Sequence, residues 1–387
     1  MILLSLGTFL IAMPAVIVAV EVVAALIARP RPVSAGPRVP AAVLIPAHNE
    51  EAVLEETLRS LLEQTIPQDR LLVVADNCTD RTAEIARTLG VEVVERQHET
   101  QRGKGYALAF GTQHLEASPP EVLVVVDADC RLGPGCLDRL VRRCQELGRS
   151  IQSDYQLVPA EASPRTAVSA LAILVRNKVR PLGLRELGLG CQLTGSGMAF
   201  PWAQWSSVSG LDDFLAEDLL LGVRLTQSGH APMFEDEAEV RSVLPVQTQS
   251  QARQRNRWEQ GQLTMLLRYG PRLLWDGLRN LDRVQFAAGL DLMVPPLAAW
   301  LLAAMAWFAF TLVLGWLIGD LGPASWTALS IAVMGGAAFL AWARFGRERI
   351  RAQDLIAIPA YILWKVPLYA KMLVARTTGW EKTKRDA

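Results

Sequence analysis

Two carboxylates stand one residue apart at the end of a strongly apolar run. Residues 122–129 read VLVVVDAD, so Asp127 and Asp129 follow a segment long enough for a buried strand and too short to span a membrane. In open parallel sheets, ligands bind at the carboxyl ends of the strands. Neighbouring carboxylates repel each other, and a divalent cation that also binds phosphate oxygens relieves the repulsion. The pair is therefore a candidate metal site, with a solvated strand end as the alternative.

Further polar clusters lie beside predicted strands and helices. They are Asn49 with Glu50, Asp76 with Asp80, and Glu217 with Asp218. Acids in such places also stabilise the start of a helix, because they interact with its dipole and its free N–H groups. We favour a binding role for Asp76 and a helix-capping role for Asp80. From spacing alone, Glu217 and Asp218 fit an ordinary helix start.

Positive charge is concentrated at two places. Lys104 lies between two glycines, which let backbone and ammonium group approach an anion such as a diphosphate, although a solvated lysine in a turn fits equally well. Residues 251–262 contain three arginines followed by Trp258, and an amphipathic segment continues from there. From its residues alone, this second region fits a basic interfacial helix that binds anionic lipid.

The elements that must position these residues alternate in type. From residue 41 to about residue 240, apolar runs of strand length alternate with helical segments, which predicts a largely parallel sheet covered by helices. Strands are predicted in AAVLIPA, LLVVAD, residues 91–95 and VLVVV. Helices are predicted from near Glu50, around residues 82–89 and from Lys104. Because parallel strands end at one edge, the clusters that follow them should meet there.

Apolar segments at both ends predict membrane helices. Residues 1–20 carry no charge and precede several arginines, which favours an anchor followed by a cytoplasmic segment over a cleaved signal peptide. Residues 286–318 and 321–343 fit two more spans joined as a hairpin. Residues 355–375 contain Lys365 and Lys371, so a helix along the membrane surface is favoured over a span.

Composition excludes some classes of function. The 39 basic and 39 acidic residues leave no net charge, so no global field favours nucleic acid. The five cysteines are an odd number without a CxxC pair, which indicates a reducing, cytosolic setting. The four histidines are scattered, and no zinc site is expected.

Five segments together resemble one enzyme family. They are VLIPAHNEE, VVADNCTDRT, Asp127-Ala128-Asp129, Ala216-Glu217-Asp218, and Gln254-Arg255-Asn256-Arg257-Trp258, which fits Gln-X-X-Arg-Trp. In this order they resemble the membrane-embedded inverting glycosyltransferases of family 2, which include cellulose, hyaluronan and chitin synthases and exopolysaccharide transferases. Many members have two adjacent acids where this sequence has Asp76-Asn77, which weakens the case for a second charge there.

The resemblance implies an α/β fold of the GT-A type with a mostly parallel sheet and transmembrane helices at both ends. The implied organisation is an amino-terminal transmembrane helix at 1–28, a linker at 29–40, a cytoplasmic catalytic domain at 41–262, an interfacial amphipathic segment at 263–285, a transmembrane hairpin at 286–343, and a basic loop, an interfacial or transmembrane helix and a basic tail at 344–387.

The resemblance also implies roles for single residues. The donor, a nucleoside diphosphate sugar with a UDP-sugar favoured, would be bound by Pro46, Asn49, Glu50, Asp76, Lys104 and Asp127. A magnesium or manganese ion would be held by Asp129, with Asp127 beside it. Asp218 would take the proton of the acceptor hydroxyl, supported by Glu217. The acceptor or the diphosphate would be contacted by Gln254, Arg257, Trp258, Gly195 and Ser196.

The expected setting is the cytoplasmic face of a bacterial inner membrane, in cell-envelope or exopolysaccharide synthesis, with a polyprenyl-linked or glycan acceptor. Single sugar addition is slightly favoured over processive synthesis with export, because few spans are available to line a channel. An inactive transport or scaffold subunit is a second alternative, opposed by the intact acids and Arg257. A metal-dependent phosphotransferase is a third, opposed by the lack of a P-loop sequence.

Overall fold

The computed structural model describes residues 2–159, 163–208, 217–244 and 248–374. These residues form two compact units. The sheet unit contains residues 29–159, 189–208, 217–244 and 248–254. The helical unit contains residues 2–28, 163–188 and 255–374.

The sheet unit is built on one mixed sheet of eight strands. The strands are β1 Ala41–Ala47, β2 Arg70–Asp76, β3 Glu92–Arg96, β4 Val122–Val125, β5 Cys130–Leu132, β6 Ile151–Pro159, β7 Met198–Pro201 and β8 Met233–Leu244. Their order is β3-β2-β1-β4-β7-β6-β8-β5. Strands β3, β2, β1 and β4 are parallel, β7 is antiparallel to β4 and β6, β8 is parallel to β6, and β5 is antiparallel to β8. The predicted α/β fold with a mostly parallel sheet is confirmed.

Fourteen α-helices occur in the described residues. They are α1 Ile2–Leu26, α2 Leu54–Leu62, α3 Thr82–Thr88, α4 Lys104–Leu115, α5 Cys136–Leu147, α6 Pro164–Leu174, α7 Arg180–Glu186, α8 Trp202–Ser206, α9 Glu217–Gln227, α10 Thr248–Arg279, α11 Arg283–Leu292, α12 Leu297–Ile318, α13 Gly322–Ala341 and α14 Ile358–Val374. A π-helical turn, Val175–Val179, joins α6 to α7, another, Trp342–Gly346, extends α13, and a 3₁₀-helix, Ala352–Ala357, precedes α14.

The core of the sheet unit lies around its parallel strands. Leu44, Leu72, Leu123 and Phe200 are fully buried in one cluster on the central strands. Helices on both faces of a parallel sheet exclude water from the whole strand, which is why these strands read as continuous apolar runs. The helix predicted from near Glu50 begins four residues later, at Leu54, after a turn.

In the helical unit, three helices among the described residues are long and apolar enough to cross a membrane, namely Ile2–Leu26, Leu297–Ile318 and Gly322–Gly346. The first span of the predicted hairpin therefore begins at Leu297. Pro295 and Pro296 separate it from α11, since proline cannot donate the backbone hydrogen bond that a helix interior needs. Helix α14 has 17 residues, and its predicted place along the membrane surface stays a prediction.

Residues 163–188 lie in the helical unit, although we predicted them as part of the catalytic domain. Arg180 explains the difference, because its guanidinium donates to the Glu21 carboxylate at 2.6 Å and also pairs with the Asp291 carboxylate. All three side chains are buried. Gly183 permits the contact, since a Cβ atom there would lie 1.9 Å from the carbonyl oxygen of Glu21.

Candidate active site

Three parallel strands bring the polar clusters to one edge of the sheet unit. Strands β1, β2 and β4 run in the same direction side by side, so the segments that follow them leave the sheet together. A hydrogen bond of 2.7 Å between His48 Nδ1 and the Asp76 carbonyl oxygen ties the first two segments. The predicted meeting of the strand ends is therefore observed for Asn49, Asp76 and Asp127.

The Asp127-Ala128-Asp129 turn is fixed by hydroxyl groups from three other elements. Thr57 Oγ1 donates to the Ala128 carbonyl oxygen at 2.9 Å, and Ser196 Oγ accepts from the Asp127 amide at 3.0 Å. Ser242 Oγ on β8 donates to Asp129 Oδ2 at 2.7 Å. These bonds hold the backbone of the turn and the orientation of the second carboxylate.

The two carboxylates fit a hard divalent cation. Asp127 and Asp129 offer oxygen atoms that lie, with Cys130 Sγ, within 4.8 Å of one another. Burial raises the pKa of the Cys130 thiol well above its usual range, and the nearby carboxylates add to this, so it stays protonated and is a poor ligand. Burial also raises the pKa of Asp127, opposed by Lys104 and reinforced by Asp129. A divalent cation bound by the carboxylate oxygens of Asp127 and Asp129 would stabilise the ionised form of both side chains.

Lys104 connects this turn to the loop before β7. It is the first residue of α4, and its Nζ lies 2.5 Å from Asp127 Oδ1 and donates to the Gly195 carbonyl oxygen at 2.5 Å. Burial disfavours the ammonium form, but the carboxylates of Asp127, Glu217 and Asp218 outweigh burial and raise its pKa. Lys104 is therefore a fixed positive charge among the acids.

Asp218 lies against the same loop. Its Oδ1 accepts from the Leu219 amide at 2.8 Å, as expected in the first turn of α9. Its Oδ2 lies 3.3 Å from the place where a Cβ on Gly195 would be, and Gly195 has a φ of +98° that favours glycine. The helix-start role and the site role are thus compatible. Burial and the neighbouring Asp218 raise the pKa of Glu217 to about 7, although Lys104 opposes the shift.

Asp76 is paired with an arginine that we did not predict as part of the site. Arg96 Nη1 donates to Asp76 Oδ1 at 2.7 Å, and both side chains are buried. The guanidinium also lies over the Tyr106 ring, 5.3 Å from its centroid, and donates to the Gln101 carbonyl oxygen at 2.8 Å. A signal was available, because Arg96 ends the third parallel strand and so falls at the same edge.

The other residues near the end of β1 that we predicted as part of the site mostly connect neighbouring loops by hydrogen bonds. Asn49 adopts a left-handed conformation with φ +53° and accepts from the Thr79 amide at 2.7 Å, while Pro46 lies within β1. The Glu50 amide donates to Thr82 Oγ1 at 2.8 Å. Asp80 accepts from the Thr82 amide at the start of α3 at 3.0 Å, which agrees with its predicted capping role, and from the Glu51 amide in the turn before α2 at 3.2 Å.

The Gln-X-X-Arg-Trp signature lies in α10, which crosses from the sheet unit into the helical unit. The side chains of Gln254 and Arg257 lie outside the described residues, as does Ala216. Trp258 is half-buried and belongs to the helical unit. The predicted acceptor or diphosphate contacts of these residues stay predictions.

Comparison with known proteins identifies the family. Residues 37–261, more than half of the chain, match the family described as "Glycosyltransferase like family 2". The chain belongs to this family. The predicted resemblance is therefore confirmed.

Similar curated proteins include the probable glycosyltransferase YdaM of Bacillus subtilis, 27% identical over 59% of this chain and 56% of that protein. The 4,4'-diaponeurosporenoate glycosyltransferase of Staphylococcus haemolyticus is 37% identical over 23% of this chain and 24% of that protein. The match thus spans little more than half of the first relative and a quarter of the second. Among solved structures, the mannosyltransferase PcManGT of Pyrobaculum calidifontis, in complex with GDP-Man and Mn²⁺, covers 94% of this chain and 99% of its own, with a TM-score of 0.54 and 17% identity, which supports the fold.

Proposed function

We propose that this protein is a membrane-bound, inverting glycosyltransferase that moves a sugar from a nucleoside diphosphate sugar to a lipid-linked or polysaccharide acceptor. The observation that carries the proposal is the convergence of Asp127, Asp129, Lys104 and Asp218 at one sheet edge in a chain of family 2. The proposed setting is cell-envelope or exopolysaccharide synthesis at the bacterial inner membrane, with the sheet unit in the cytoplasm.

At the donor end, a magnesium or manganese ion would be held by Asp129 and Asp127, and it would offset the charge that develops on the departing nucleoside diphosphate. Lys104 places an ammonium group beside Asp127, where it can attract the same phosphates. Because Arg96 fixes the Asp76 carboxylate at the end of β2, that carboxylate can accept a hydrogen bond from a nucleobase. A UDP-sugar is our first candidate donor, since the uracil imide is such a hydrogen-bond donor.

At the acceptor end, a hydroxyl group needs a base, because it is a poor nucleophile at neutral pH. Asp218 is our candidate for this base. Its Oδ2 faces the Gly195 backbone, and Lys104 supplies positive charge nearby. In a single displacement the acceptor oxygen would bond to the anomeric carbon from the face opposite the departing nucleoside diphosphate, while its proton passes to Asp218, so the configuration of that carbon inverts. Glu217 would support Asp218 through its charge and position.

The acceptor is proposed to reach the site from the bilayer. Three helices of spanning length and composition support a membrane setting, and a polyprenyl-linked acceptor fits that setting. The three such helices among the described residues are few to line a polymer channel, so single addition is our first proposal. Processive synthesis is the second, and it rests on the Gln-X-X-Arg-Trp sequence at residues 254–258.

The test uses membranes that contain the full chain, incubated with Mn²⁺ and radiolabelled UDP-glucose, UDP-N-acetylglucosamine or GDP-mannose. We expect label from one donor to enter a lipid extract, and chromatography of the product distinguishes one added sugar from a polymer. Membranes with the Asp218→Asn variant are the control. A wild-type chain that binds nucleotide with Mn²⁺ but incorporates no sugar from any of these donors would favour the inactive-subunit alternative.

A further inference from the structure

Gln152 is a fully buried polar residue of the sheet unit that takes no part in the roles assigned above. It lies on β6, between β7 and β8, where it faces Met198 on one side and Phe234 on the other. Both of these paired residues are apolar. A buried amide side chain is stable only where its oxygen and nitrogen both find hydrogen-bond partners, so those partners indicate what it does.

The partners of Gln152 lie on both sides of one glycine. Its Oε1 accepts from the Thr194 amide at 2.8 Å, and its Nε2 donates to the Ser196 carbonyl oxygen at 3.0 Å. The side chain therefore brackets Gly195 with two backbone hydrogen bonds. Nε2 also donates to the Ser153 carbonyl oxygen at 3.0 Å, which fixes the amide itself to β6.

The bracketed glycine lies at the centre of the proposed catalytic geometry. Its carbonyl oxygen accepts from Lys104 Nζ, and its α-carbon faces Asp218 Oδ2. The hydroxyl oxygen of the next residue, Ser196, accepts a hydrogen bond from the Asp127 amide. A shift of this loop would therefore move the ammonium group, the proposed base and the metal turn relative to one another.

We propose that Gln152 is a positioning residue that holds the loop of residues 194–197 in the geometry needed for sugar transfer. The proposal rests on the proposed glycosyltransferase function. Gln152 contacts neither the sugar donor nor the acceptor hydroxyl. We therefore expect it to affect the rate of sugar transfer indirectly, through the positions of Lys104 and Asp218. The nucleobase end of the site has its own bonds, including the pair between Asp76 and Arg96, whereas Lys104 and the Asp127 turn contact the loop directly.

The chain offers a closely matched control in Gln204. It is also buried, its Oε1 accepts from Ser150 Oγ at 3.0 Å, and its Nε2 donates to the Gly148 carbonyl oxygen at 2.7 Å. Gln152→Glu and Gln204→Glu therefore make the same chemical change. Each variant keeps the oxygen acceptor and replaces the buried amide donor by an oxygen that faces a carbonyl group. Both variants should therefore lose folding stability for the same reason.

The experiment compares the wild-type chain with these two variants in detergent-solubilised form. It measures the thermal midpoint, the dissociation constant of UDP and of GDP with Mn²⁺, and kcat for the donor that the wild type consumes in native membrane extract. For Gln152→Glu we expect kcat to fall by about tenfold or more, because small misplacements of supporting groups cost that much. Nucleotide affinity should fall by a smaller factor than kcat, because the bonds between Arg96 and Asp76 and between Ser242 and Asp129 do not involve this loop.

For Gln204→Glu we expect a similar fall in the thermal midpoint with kcat close to the wild-type value. Equal kcat values for the two variants would overturn the proposal, as would a loss of nucleotide affinity that accounts for the whole effect of Gln152→Glu. If Gln152→Glu does not fold, Gln152→Asn, which keeps both groups on a shorter arm, is measured with the same criteria. A wild-type chain without transfer activity would instead count against the proposed function.

Discussion

The hydroxyl group of Ser242 offers a direct test of how the metal site is organised. Ser242 lies on β8, is buried, and donates to Asp129 Oδ2 at 2.7 Å from a position 113 residues away in sequence. Changing Ser242 to alanine removes this bond without removing a proposed metal ligand. The Asp129 carboxylate would then lose one of the bonds that set its orientation relative to Asp127.

The expected magnitude follows from the charge of the acceptor. A hydrogen bond to an ionised group contributes about 1.5–3 kcal/mol, and a central value of about 2 kcal/mol would correspond to roughly thirtyfold in affinity if all of it acted on metal binding. Loss of a hydrogen bond that orients a metal ligand typically weakens metal binding by about 10–100-fold. Because the bond from Ser242 is already present without the ion, its loss acts on affinity through the orientation of Asp129, so we expect a value near the lower end, about tenfold to thirtyfold.

The assay is titration of Mn²⁺ into the solubilised protein at saturating UDP or GDP, followed by electron paramagnetic resonance of the free ion. Ser242→Thr keeps the hydroxyl group and should restore most of the affinity. Ser150→Ala is the control, because Ser150 is equally buried and donates to Gln204 at 3.0 Å, away from the acids. If Ser242→Ala binds Mn²⁺ within about twofold of the Ser150→Ala control, the proposed link between Ser242 and the metal site is refuted.

Three further predictions concern the base, its neighbour and the helical unit. Asp218→Asn should lower kcat by about 100-fold or more while nucleotide affinity, measured by calorimetry, is retained, and parallel loss of binding would contradict the role of base. Because the folded-state pKa of Glu217 is raised to about 7, the folded protein binds more protons than the unfolded chain between its ordinary pKa and that value, so stability should fall as pH rises through this window. Thermal midpoints measured across this range without metal should show that Glu217→Gln reduces the slope, and an unchanged slope would contradict the shift. Arg180→Met leaves the carboxylates of Glu21 and Asp291 buried without their partner and should destabilise the protein by about 3–5 kcal/mol, seen as early loss of monodisperse protein on heating in detergent. Asp291→Asn, which leaves one balanced pair, should be milder, and the reverse order would contradict this account.

Much of the fold follows from local patterns in the chain. The runs that end at Ala47, Asp76 and Val125 have the length and composition of buried parallel strands, and each is followed by a polar segment. Uniformly apolar segments of spanning length likewise indicate three of the long helices. These features depend on residues within one element, so the sequence alone predicts them.

Local pattern does not reveal which distant segments meet. We predicted residues 41–262 as one catalytic domain, and no local pattern in residues 163–188 indicates that Arg180 pairs with Glu21 and Asp291, which lie 159 and 111 positions away. Arg96 was missed for a smaller reason, because the predicted strand stopped one residue before it. Strand boundaries are set by pairing with the next strand, which a single segment does not encode.

The sequence by itself determined the chemical groups of this protein: the acids after the strands, a lysine between glycines, the family signature and the apolar helices. Only the tertiary structure decided that Lys104 bonds the Gly195 carbonyl oxygen 91 residues away, that Ser242 orients Asp129, and that Gln152 brackets the same glycine. The physical reason is that these contacts depend on the order β4-β7-β6-β8-β5. That order is fixed by the packing of the whole sheet and is therefore absent from the periodicity of any one strand.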